Sequence, residues 1–78
     1  MITGMAAARK AKEMDVLDNE SDRIINCFGA NPAYTTRVSS RLAKRLLLKD
    51  VCISNGRFFR VTAKSVGCGV YQVISEDA

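Results

Sequence analysis

Asn55-Gly56 separates two short runs of strand-forming residues, Val51-Cys52-Ile53-Ser54 and Arg57-Phe58-Phe59-Arg60-Val61-Thr62. Asparagine and glycine both accept positive φ angles, which a two-residue type I′ turn demands, and the twist of that turn matches paired strands. The loop length then sets the register: Ser54 faces Arg57, Ile53 faces Phe58, and Cys52 faces Phe59. Side chains alternate across a strand, so Cys52, Phe59 and Val61 share one face. That face is expected to be core. Residues 70–74 read as a further short strand, approached through the flexible Gly67 and Gly69.

Ahead of the hairpin the pattern is helical. Residues 5–17 are rich in Ala, Lys, Arg, Glu and Met, all good helix formers, over a thin apolar face. Asp18, Asn19 or Ser21 can cap a second helix that buries Ile24, Ile25, Cys27 and Phe28, although the residues also allow one long helix. Gly29-Ala30-Asn31-Pro32 ends the run, with glycine in the left-handed conformation and proline unable to continue a helix. Thr35 or Thr36 can cap a third helix reaching about Lys49. Val38, Leu42 and Leu46, spaced by four, form its apolar ridge. Arg37, Arg41 and Lys44 form an adjacent ridge, with Arg45 beside it. The expected fold class is therefore α+β: three N-terminal helices, then a β-hairpin, then a short C-terminal strand. Seventy-eight residues allow one domain. Residues 1–17 would form a frayed or separate helix, 18–64 the core, and 65–78 a strand and tail.

Charge is distributed by region. Five acids, Glu13, Asp15, Asp18, Glu20 and Asp22, crowd one short segment. Between positions 37 and 64 stand eight bases, namely Arg37, Arg41, Lys44, Arg45, Lys49, Arg57, Arg60 and Lys64, against the single acid Asp50, a net +7 where the whole chain carries +4. Such a segment suits an anionic partner.

Three helices followed by a hairpin, with the last helix basic and Arg57 at the hairpin tip, resembles a winged helix-turn-helix DNA-binding domain. The resemblance is clearest over residues 46–64, from Leu46-Leu47-Leu48-Lys49-Asp50-Val51 to Phe59-Arg60-Val61-Thr62-Ala63-Lys64. It implies a recognition helix at 35–49 and a wing at 51–62, with the tip at 54–57. The nucleic-acid-binding residues implied are Arg37, Arg41, Lys44, Arg45, Arg57, Arg60 and Lys64. Two departures stand against it. The turn at 29–34 exceeds the tight turn of the motif, and bulky Ile25 falls where that motif often carries a small residue.

The physical argument for such a binder stands apart from the resemblance. A helix fits the major groove, a β-ribbon can follow the flanking backbone, and basic groups on both release counterions. The expected function is a small transcription regulator on duplex DNA, acting as a homodimer because one small module gives limited affinity. The resemblance adds an association with phages and mobile elements. A second class of function is a small inhibitor or adaptor whose basic surface meets an acidic protein.

Other classes lack their residues. The chain has no histidine, so its serines and thiols have no base partner and an enzyme is not expected. Cys27, Cys52 and Cys68 are too widely spaced to suggest a metal site and read as buried thiols in a reducing compartment. Asp15, Asp18 and Asp22 read as helix-capping and dipole-complementing acids, and no cofactor motif is present. No apolar run approaches the roughly 20 residues of a membrane span. Arg9 and Lys10 follow an apolar stretch where a signal peptide would have them precede it, so cytoplasmic residence is expected.

Overall fold

The structure, a computed structural model, describes residues 3–78, with side chains from Asp15 onward. The thin apolar face expected over residues 5–17 lies mostly outside the described side chains, as does Glu13. Six elements follow one another: α1 (Thr3–Ala30), β1 (Thr36–Ser39), α2 (Ser40–Leu47), β2 (Cys52–Ser54), β3 (Arg57–Gly67) and β4 (Val70–Asp77). The four strands form one antiparallel sheet in the order β1-β4-β3-β2. Both helices pack on one face of it, and the other face is open to solvent.

Residues 3–30 are a single helix, so the break allowed at Asp18–Ser21 is not used and the expected boundary after residue 17 falls inside α1. Its stripe of Leu17, Ser21, Ile24, Ile25 and Phe28 turns toward the sheet. The hydroxyl of Ser21 is buried there without a hydrogen-bond partner among the described residues. After the helix, Asn31 donates its N–H to the Cys27 carbonyl at 2.9 Å, and its Oδ1 accepts from the Ala33 N–H at 3.0 Å. Gly29 is required for a reason other than a left-handed cap. A β-carbon at this position would come within 2.8 Å of the Ser54 carbonyl oxygen, so only glycine lets β2 pass this close to the helix.

The expected third helix over 35–49 is replaced by β1, a tight junction and an eight-residue helix. Two threonines and a valine favour extended backbone, and Ser39 then caps α2 by accepting the Leu42 N–H at 3.3 Å. Three helices before a hairpin is thus not the architecture: there are two helices, and the sheet has four strands. The expected apolar ridge is split between two elements, yet its residues stay in the core. Val38, Leu42 and Leu46 are all buried, Val38 from a strand and the leucines from α2. Strand β1 finds its partner more than thirty residues away, with Thr36 opposite Val73 and Val38 opposite Tyr71.

The hairpin has the expected register, with Cys52, Ile53 and Ser54 opposite Phe59, Phe58 and Arg57. Its turn residues take φ of 51° at Asn55 and 74° at Gly56, as a type I′ turn requires. Strand β3 continues well past Thr62 to Gly67, and β4 runs back along it from Val70 to Asp77. The expected short strand at 70–74 is therefore an eight-residue interior strand, bonded to β3 on one side and β1 on the other. In the core, Phe28 meets Tyr34 and Phe59 edge to face, with ring centroids 5.3 and 6.0 Å apart. Leu46 and Val73 complete the fully buried set.

Candidate nucleic-acid interface

Alternation along β3 sorts its side chains onto two faces. Phe59 and Val61 point at the helices, and Phe58, Arg60, Thr62 and Lys64 point outward. On β4 the outward set is Gln72, Ile74 and Glu76, opposite Lys64, Thr62 and Arg60 respectively. Ile53 of β2 stands across from Phe58, and Arg37 of β1 stands across from Gln72. The open face thus carries three cations, one acid, one aromatic ring and two isoleucines. Ile53 is 64% exposed, Phe58 57% and Ile74 43%. From Phe58 to Lys64 the outward row spans about 20 Å at roughly 3.3 Å per residue.

The seven sequence-expected contact residues fall into three groups. Arg37, Arg60 and Lys64 lie on the open face, exposed, and none engages a protein partner among the described residues. Arg41 and Lys44 are exposed on α2, which packs against the opposite face of the sheet. Arg45 and Arg57 are committed to the fold. Arg45 donates from Nε to Asp18 Oδ1 at 2.6 Å. Lys49, four residues nearer the hairpin and just past the end of α2, pairs with Asp22 at 3.5 Å, so two acids of the α1 cluster neutralise bases of the positive segment.

Arg57 does not project from the hairpin tip. Its strand position turns it inward with Phe59, leaving its side chain 14% exposed. The guanidinium lies 4.9 Å from the Phe59 ring centroid. It donates to the Phe28 carbonyl at 3.0 Å, to Ser75 Oγ at 2.6 Å and to Asp77 Oδ1 at 2.9 Å. One side chain thereby ties the end of α1 to both strands of the long hairpin. The wing-tip role expected of it fails because a two-residue turn places the first residue of β3 on the same face as the third.

Phe58, Gln72, Ile74, Ile53 and Thr62 are not among the contact residues expected from the sequence. The signal for Ile53 was present: the hairpin register that buries Phe59 also turns Phe58 and Ile53 outward. For β4 the local signal gave a strand but not its neighbours, which are set by long-range pairing. Gln72 donates from its amide nitrogen to Thr35 Oγ1 at 3.2 Å, and that hydroxyl donates to the Val73 carbonyl at 3.0 Å. The amide is thus held in place.

Burial pushes the Cys52 thiol above its ordinary pKa, with Lys49 pulling weakly the other way, so it is neutral near pH 7. Among the described residues no cluster of His, Cys, Asp or Glu is placed to hold a metal. No helix among them is long and apolar enough to cross a membrane. Comparison with protein-family models, curated proteins and solved structures gives no match.

Proposed function

We propose that this chain is a nucleic-acid-binding protein whose contact surface is the open face of the sheet, and that it takes an unpaired strand. The observation that carries this reading is the exposed ring of Phe58 on the same strand face as Arg60 and Lys64, two cations without protein partners among the described residues. Single strands are held by a basic track that follows the backbone and by aromatic faces on which bases stack. Duplex recognition by a groove-bound helix fits less well. Helix α2 has eight residues, and Arg45 and Arg57 are spent on the fold. On this reading the chain is a cytoplasmic binding protein without catalysis, and control of transcription is one use of such a contact. A second reading, docking of an acidic protein on the same face, is favoured by the exposure of Ile53 and Ile74.

Fluorescence anisotropy with a labelled twelve-nucleotide thymidine strand and a twelve-base-pair duplex separates these readings. The single strand should bind more tightly. Three phosphate contacts give a slope of log K against log salt near −2, at about −0.7 per phosphate. Phe58→Ala should weaken binding by roughly 5- to 150-fold, the 1–3 kcal/mol of one stacked base. Tighter duplex binding that is lost with Arg41→Ala would return the contact to α2. Absence of binding to either probe at low salt would leave the protein-docking reading.

A further inference from the structure

A groove of about 440 Å³ runs between α1 and the edge strand β1, on the other side of the sheet from Phe58. Its floor is apolar, made by Ile24, Tyr34, Val38 and Leu42, and its rim carries Arg23, Arg37 and one acid, Glu20. Arg23 and Arg37 are exposed and engage no protein partner among the described residues.

Part of the backbone of β1 faces this groove with hydrogen-bonding groups that have no partner among the described residues. In an antiparallel ladder, pairs that exchange both bonds alternate with pairs that exchange none. Ala78 donates to the Phe58 carbonyl at 3.2 Å, which sets the phase between β3 and β4. Carried along β4, that phase turns the backbone groups of Tyr71 and Val73 toward β1, where they meet Val38 and Thr36. The N–H and C=O of Arg37 and the N–H of Ser39 therefore point away from the sheet. The Ser39 carbonyl is taken by the first turn of α2. Edge strands are normally covered or blunted; this one borders a groove with an apolar floor.

We propose that the α1–β1 groove receives an extended, acidic segment of a partner protein, which adds to β1 as a fifth strand. Main-chain bonds to Arg37 and Ser39 would fix the segment, and a small apolar side chain on its inward face would cover Val38 and Ile24. Carboxylates on its outward face would lie beside Arg37, the cross-strand arrangement that stabilises opposite charges. On the rim, two arginines without protein partners among the described residues stand against one glutamate, which sets the sign of the partner. The groove lies behind the open face and shares only Arg37 with it, and main-chain pairing along β1 does not depend on nucleic-acid binding.

The test uses ¹⁵N-labelled full-length protein titrated with the pentapeptide acetyl-Thr-Glu-Val-Glu-Thr-amide, with a Gln-for-Glu version as control. The largest amide shifts are expected at Arg37 and Ser39, with smaller ones at Thr36 and Val38, whose groups already bond β4. The Gln peptide and the Arg37→Gln protein should each bind about fivefold more weakly, the scale of a cross-strand charge pair. Arg37→Gln changes an exposed side chain, so an unchanged remainder of the spectrum confirms that the fold survives. No shifts at millimolar peptide, shifts centred on Phe58 and Ile74, or equal binding of the two peptides would each overturn the proposal.

Discussion

Strand β3 carries two pairs of like residues that meet opposite surroundings. Phe59 is fully buried against Phe28, and Phe58, one position away, is mostly exposed beside Ile53. Arg57 is locked between the end of α1 and the β3–β4 hairpin, whereas Arg60 stands outward with no protein partner among the described residues. Composition cannot distinguish the members of either pair; strand parity does. The inner members hold the fold, and the outer members remain available to a ligand.

The aromatic pair gives the largest test. Phe59→Ala should cost about 3–5 kcal/mol in urea unfolding, the usual range for emptying a core aromatic site. In so small a domain that is a large part of total stability. Phe58→Ala should change stability by no more than about 0.5 kcal/mol and act on ligand binding instead. Similar losses from both would mean that the open face is covered in the native protein.

The arginine pair comes next. Arg57→Glu removes donors to Phe28 and Ser75 and sets a carboxylate beside Asp77, a loss of about 2–4 kcal/mol read as a lowered melting temperature. Arg60→Gln should stay within about 0.5 kcal/mol of the parent. Exposure of Arg57 at a hairpin tip would have made its reversal harmless to the fold, so a stable Arg57→Glu protein would restore that picture.

The smallest effect sharpens the same division without altering stability. Of the three thiols expected to be buried, Cys52 sits on the inner face with its pKa raised by burial, Cys27 is half-buried, and Cys68 is instead exposed at the turn between β3 and β4. Iodoacetamide at neutral pH should modify Cys68 first and leave Cys52 until the protein unfolds, because the thiolate is the reacting form. Mass spectrometry of a time course reads the order. Equal rates would show that the β2–β3 end of the sheet opens readily.

The sequence alone determined the short-range features. Asn55-Gly56 dictated the hairpin and its register, since a two-residue turn with positive φ leaves no other pairing. The spacing of Ile24, Ile25 and Phe28, and of Leu42 and Leu46, named the buried faces because a helix repeats locally. Tertiary structure decided the rest. The spacing of Val38, Leu42 and Leu46 carries a helix back over residues 36–39, and pairing with β4, more than thirty residues away, made them β1 instead. The same long-range pairing extended β3 and β4 into the main hairpin of the sheet. It also divided one basic segment into cations that neutralise α1 or tie down the core and cations that face solvent. Helical and turn signals act over a few bonds and can be read in order along the chain. Strand pairing and charge neutralisation act between distant segments, so their outcome depends on which surfaces the folded chain brings together.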